Sequence, residues 1–174
     1  MGILNLTPDS FSDGGRFNSV DRGLKQTRRM LREGADVIDL GAQSTRPGAP
    51  EIGPEGEIAR LLPTLKQIRA SFPQALISVD TFHATVAAAA VEAGADWIND
   101  VSGGRRDPAM LQVVGRAGCP YVLMHSRGDS RTMDQLTDYN DVVREVREAL
   151  LFATDRALAA GVSEHGCSVH VVTA

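Results

Sequence analysis

Glu33-Gly34-Ala35-Asp36-Val37-Ile38-Asp39 returns further along the chain as Glu92-Ala93-Gly94-Ala95-Asp96-Trp97-Ile98-Asn99. Each copy runs from a helix end through glycine into a short apolar strand that stops on a polar residue, so the repeated unit is a βα junction. Working outward, short apolar runs at residues 2–6, 37–40, 76–79, 97–99 and 121–124 have the look of buried parallel strands, and a sixth could begin at Val169. Between them the spacing turns helical. Val20, Leu24, Thr27 and Leu31 mark one face, Ile58, Leu61, Leu62, Leu65 and Ile68 a second, and Val86, Ala89, Ala90 and Ala93 a third. Met110, Leu111 and Val114 give a fourth, and Val142, Val146, Ala149, Leu150, Ala153 and Ala157 a long fifth. Pro54 suits a first helical turn, Asp107-Pro108 a helix start, and Gly34, Gly94, Gly118 and Gly161 helix stops.

Five βα units and the start of a sixth fit either an open doubly wound sheet or an incomplete (β/α)8 barrel. The loops favour the barrel. After the first strand comes Thr7-Pro8-Asp9-Ser10-Phe11-Ser12-Asp13-Gly14-Gly15, with no GxGxxG phosphate turn. A whole barrel takes about 250 residues, so 174 residues are expected to hold one domain with the first five to six βα units.

Composition narrows the function. The chain is 43% hydrophobic and 23% charged, with a net charge of −4, so it has no basic field suited to nucleic acid or anionic membranes. Small-molecule chemistry is the better expectation. Cys119 and Cys167 fall in no zinc or disulfide spacing, and no apolar run reaches membrane-span length, which points to a reducing cytoplasm. In a parallel βα array chemistry gathers where strands end, here at Asn5, Asp39, Asp80, Asn99 with Asp100, and His125. Each alone reads as a cap or satisfied core group; together they suggest a shared polar cavity. Arg46, between Thr45 and Pro47, suits an anionic or planar ligand through its fork of donors and its stacking face.

Residues 2–15, ending Phe11-Ser12-Asp13-Gly14-Gly15, and the stretch Asp39-Leu40-Gly41-Ala42-Gln43-Ser44-Thr45-Arg46-Pro47-Gly48 resemble the two signatures of the dihydropteroate synthases. Ile77-Ser78-Val79-Asp80-Thr81, Ile98-Asn99-Asp100-Val101-Ser102-Gly103-Gly104 and Leu123-Met124-His125 extend the resemblance over roughly residues 1–160. It implies a (β/α)8 TIM barrel and a magnesium-dependent transferase of folate biosynthesis, a sulfonamide target. Such an enzyme joins 6-hydroxymethyl-7,8-dihydropterin pyrophosphate to p-aminobenzoate, giving 7,8-dihydropteroate and pyrophosphate. It further implies that Asn5 coordinates Mg²⁺, that Asp80 and Asn99 read the pterin edge, and that Val101 and Met124 line its pocket. Thr45, Arg46 and Pro47 match the second substrate loop, and Phe11 and Asp13 the first, which closes over p-aminobenzoate. Asp13, Arg46 and Asp80 would be the catalytic groups, and the family is usually homodimeric. No protein nucleophile is needed, in keeping with the lack of GxSxG, Walker A or HExxH motifs.

The chain also departs from the family pattern. Gln43 stands where the family usually has glutamate and Ala42 replaces a common glycine, while residues 163–174 do not match the family's next strand, with its Asp-Pro-Gly. Its only lysines, Lys25 and Lys66, lie in predicted helices, and the late-strand lysine and Arg-x-His are missing. A partial sequence is therefore expected, and two rivals stay open: a pterin-dependent methyltransferase domain, and a non-catalytic pterin-binding fragment or paralogue.

Two outcomes follow from the resemblance. Arg46→Ala should raise the Michaelis constant for p-aminobenzoate more than that for the pterin, in steady-state kinetics on a completed enzyme. The 174-residue chain by itself should release no pyrophosphate and melt without a sharp transition, because the late charged groups, each worth about 2.7 to 4 kcal/mol in comparable sites, are missing. A pyrophosphate-release assay beside a thermal melt checks both.

Overall fold

The computed structural model describes residues 1–7, 16–43, 51–128, 132 and 135–170, without the side chains of 16–19 and 166–170. Six strands form one parallel sheet: β1 (Gly2–Asn5), β2 (Val37–Gly41), β3 (Leu76–Asp80), β4 (Trp97–Asp100), β5 (Tyr121–Met124) and β6 (Cys167–His170). Five helices alternate with them: α1 (Arg16–Arg32), α2 (Gly53–Ser71), α3 (Ala84–Glu92), α4 (Met110–Ala117) and α5 (Val142–Ala159).

Strand order resolves the choice the sequence left open. Each strand pairs with its neighbour in the chain, β1-β2-β3-β4-β5-β6. A doubly wound sheet reverses direction at a switch point, and none occurs here. Right-handed crossovers that all advance the same way put every helix on the same face, which is how a (β/α)8 barrel is wound. The sheet is an arc of such a barrel.

Alternation along the strands then sorts side chains by face. Leu4, Leu40, Val79, Ile98 and Tyr121 lie in one register row, and all are buried in a single cluster with Leu61, Leu65, Val86, Met110 and Val114 of the helices. Burying side chains of this size contributes about 1.5 to 3 kcal/mol each. The close fit leaves its mark at Gly2, where an added Cβ would lie 2.5 Å from the Met30 sulfur of α1. The opposite, concave face carries Ile3, Asn5, Asp39, Ser78, Asp80 and Asn99, and Ile3 is 65% exposed.

Helix ends follow the glycines expected to stop them. Gly118, at φ 63°, caps α4 in the left-handed region that a side chain would strain. The expected start at Asp107-Pro108 is displaced, for α4 opens at Met110. Asp107 divides its carboxylate: Oδ1 accepts from Ala109 N–H at 3.0 Å and Oδ2 from Ala84 N–H at 2.8 Å, so it caps the start of α3 as well.

At the N-terminal end of the strands, Arg69 of α2 holds three segments together. Its guanidinium donates to the carbonyls of Pro73, Ala75 and Gly94 and to Asp96 Oδ2 at 2.5 Å, and the same carboxylate oxygen accepts from Ile77 N–H at 2.8 Å. Arg69→Ala should lower unfolding free energy by roughly 2 kcal/mol in a denaturant titration, since several half-buried acceptors lose their donor. Arg69→Lys should recover less than half of that, because a point charge cannot span carbonyls that a planar fork reaches.

Candidate active site

The ladder of the sheet aligns the candidate residues. Asn5 pairs with Gly41, Gly41 with Asp80, and Asp80 with Asn99, so three of the expected strand-end groups stand in one row at the C-terminal rim. Gly41 leaves the row open: a Cβ placed there would lie 3.6 Å from Asn5 Oδ1 and 3.7 Å from Asp80 Oδ2. Asp39 sits one layer deeper on the same face, and its Oδ2 accepts from Asn99 Nδ2 at 3.1 Å. That bond fixes the amide of Asn99 with its nitrogen toward Asp39 and its oxygen turned away.

Charge is crowded here. Burial pushes the Asp80 carboxyl up to about 8, and the negative charges of Asp39, Glu57 and Asp100 add to the shift. Asp39 Oδ1 and Ser78 Oγ are buried with no hydrogen-bond partner among the described residues. Leaving such groups unpaired costs about 1 to 3 kcal/mol apiece. Unpaired polar atoms beneath an open polar row are the signature of a surface shaped for a ligand.

Not every strand-end residue belongs to this surface. Asp100 has the opposite parity from Asn99 and serves the fold: Oδ1 accepts from Ser102 N–H at 2.7 Å, and Oδ2 from Gly104 N–H at 2.9 Å and Tyr121 O–H at 2.8 Å. His125 lies just past β5 with Nε2 3.1 Å from the Tyr139 hydroxyl. Burial and the nearby Arg105 and Arg127 charges hold its imidazole below the ordinary range. Val101 and Met124 flank the rim at the ends of β4 and β5, both half-buried, and Ser126 O–H bonds the Val101 carbonyl at 3.0 Å, tying the two loops together. Phe11, Asp13, Thr45, Arg46 and Pro47 lie outside the described residues.

Sequence reading passed over one group. Glu57 of α2 is fully buried, and its Oε2 lies 2.9 Å from His83 Nδ1 in the turn that follows Asp80. The signal available was a glutamate on the apolar side of a helix, one residue before Ile58.

Asn5 is exposed on the rim, where its side-chain amide offers a hard oxygen donor. That arrangement suits Mg²⁺, which keeps several waters and leans on one or two protein oxygens and on substrate phosphates.

Known proteins share this sequence and fold. A mitochondrial folate synthesis bifunctional protein of Arabidopsis thaliana is 49% identical over 166 residues, covering 93% of this chain and 30% of that protein. The solved Xanthomonas albilineans dihydropteroate synthase with 4-aminobenzoic acid superposes with a TM-score of 0.87 at 40% identity, over 97% of this chain and 59% of that one. A Yersinia pestis dihydropteroate synthase in a sulfonamide drug complex gives 0.88 at 37% identity, over 97% and 61%. The chain thus spans about a third to three fifths of the length of the proteins it matches. The profile of the pterin binding enzymes runs along residues 1–167, from the start of β1 to the first residue of β6, and the chain belongs to that family.

Proposed function

We propose that this chain forms the pterin-reading part of a dihydropteroate synthase, the transferase that joins 6-hydroxymethyl-7,8-dihydropterin pyrophosphate to p-aminobenzoate and releases pyrophosphate. The observation that carries the reading is the pairing of Asp80 with Asn99 on the concave rim, with Asp39 orienting the amide and Gly41 leaving space beside them. A pterin edge presents ring N–H and amino donors next to acceptors; a carboxylate and a fixed amide together answer both.

Asp80 has a second task. Departure of pyrophosphate leaves positive charge on the pterin, and a carboxylate held against its ring edge stabilises that charge as it develops. Asp13 and Arg46, on the two substrate loops, would serve the same transition state from the p-aminobenzoate side, with Phe11, Thr45 and Pro47 around the aromatic amine. Val101 and Met124 would line the pterin pocket. Asn5 would hold Mg²⁺, which when bound neutralises the leaving anion. Sulfonamides, present in the Yersinia pestis complex, would compete for the p-aminobenzoate position. A homodimer in the cytoplasm completes the reading, and no helix among the described residues is long and apolar enough to cross a membrane.

The raised pKa makes the reading testable. Pterin donors favour the ionised carboxyl, so binding below pH 8 must expel a proton, and affinity should climb roughly 50-fold from pH 6 to pH 8 before levelling off. Asp80→Asn should weaken pterin binding and flatten that slope in calorimetric titrations. An unchanged affinity would remove Asp80 from the pocket.

The same substitution reports on stability, with a sign that can be worked out. A carboxyl whose folded pKa lies above its unfolded value favours the fold only while protonated, and that advantage fades as pH rises from about 4 toward 8. In an enzyme completed with a relative's late strands, Asp80→Asn should therefore melt higher than the parent, with a margin that widens across that range in thermal scans.

A further inference from the structure

Behind the polar row lies a buried acid that the proposed reaction does not use. Glu57 sits near the start of α2, fully buried, with Oε2 on His83 and Oε1 unpartnered among the described residues. Burial drives its carboxyl above the ordinary range, and the His83 hydrogen bond pulls it back. Its burial carries a desolvation cost that contact with the partly exposed His83 offsets only in part, since the carboxyl still sits above its ordinary range. Stability alone gives no reason for the acid.

Its connections give one. His83 closes the turn at residues 81–83, which leaves β3 directly after Asp80. Its N–H donates to Thr81 Oγ1 at 3.2 Å, and Thr81 N–H donates to the Asn99 carbonyl at 3.0 Å. Glu57 thus grips, through His83, the one turn that is covalently joined to Asp80 and hydrogen-bonded to the peptide of Asn99. Other contacts press the turn from the remaining sides: the Arg106 guanidinium stacks on the buried Phe82 ring at 4.1 Å, and Asp107 holds Ala84 N–H. His83 itself is 20% exposed, so the pair reaches from the core toward the rim.

We propose that Glu57 is a positioning residue for the pterin-reading pair, acting through His83 and Thr81 to hold Asp80 and Asn99 at one spacing. This rests on the reading of Asp80 as the pterin acceptor. Such sites need placement to within about 0.5 Å by groups behind them, and a turn pinned only by its backbone does not supply it.

The test is a double-substitution cycle in an enzyme completed with a relative's late strands, at pH 9 so that loss of the Glu57 charge does not itself ionise Asp80, with 6-hydroxymethyl-7,8-dihydropterin as the titrant and a thermal melt of every variant. Glu57→Met should melt at least as high as the parent chain, yet bind the pterin about tenfold more weakly, the scale typical of coupled neighbours. Glu57→Gln, which keeps an oxygen for His83, should retain most of the affinity. In the Asp80→Asn background, Glu57→Met should cost less than about twofold, because the group it positions is already gone. An equal loss in both backgrounds, or none in the parent, overturns the proposal; an Asp80→Asn variant that binds normally overturns the reading of Asp80 instead. Should Glu57→Met fail to melt cooperatively, His83→Ala, at a partly exposed position, takes its place in the cycle, and the same losses in the two backgrounds support or overturn the proposal.

Discussion

Pairing every strand with its successor constrains everything else in this molecule. Because the crossovers share one hand, all five helices must cover the same face, and that face must be apolar to hold them. The other face is thereby released from packing duty and can carry Asp39, Ser78, Asp80 and Asn99 side by side. Such a row inside a doubly wound sheet would be sealed under helices, where each unpaired group costs a few kcal/mol. Winding in one direction makes a polar surface tolerable, and the ends of the strands make it reachable.

Electrostatics shows what that surface is for. Asp39, Asp80 and Glu57 approach one another without a cation among the described groups between them. Asp80 holds its proton to about pH 8 because it is buried, with the charges of Asp39, Glu57 and Asp100 adding to the effect. A fold under no functional demand would exchange such residues for serine or asparagine, as mutual repulsion and desolvation both act against it. Among the described residues the side-chain donor supplied to Asp39 and Asp80 is the Asn99 amide, and it goes to Asp39, which in the proposed function leaves Asp80 for a ligand rich in N–H groups. Under the proposed function, that crowding prepares a site for a planar hydrogen-bond donor.

The architecture was largely legible in the residues. Parallel strands buried against helices read as apolar runs, and the observed β1 to β5 fall within one residue of the runs at either end. Two of the small differences are polar: Asp80 and Asp100 extend β3 and β4 because the ladder continues one residue past the apolar stretch. β6 begins at Cys167, ahead of the expected Val169, since its backbone pairs with Tyr121 and Val122 whatever side chains Cys167 and Ser168 bring. The polar row was legible because strand ends in a βα array share a rim. Asp100 misled the same logic, for being adjacent to Asn99 it points the other way and binds a turn.

What escaped was the set of polar contacts that join distant segments. Arg69 with Asp96 and Glu57 with His83 are each separated by more than twenty residues, and no local pattern announces them. Their placement divides the barrel's labour. Arg69 works at the N-terminal ends of the strands, where its acceptors are backbone carbonyls and its effect is on stability. Glu57 works at the C-terminal ends, where its carboxyl reaches the turn that leaves β3 after Asp80, at the cost of its own burial. Two carboxylate pairs on the same helix therefore differ in purpose because the strands between them have direction: one end anchors the sheet, and the other presents it to a ligand.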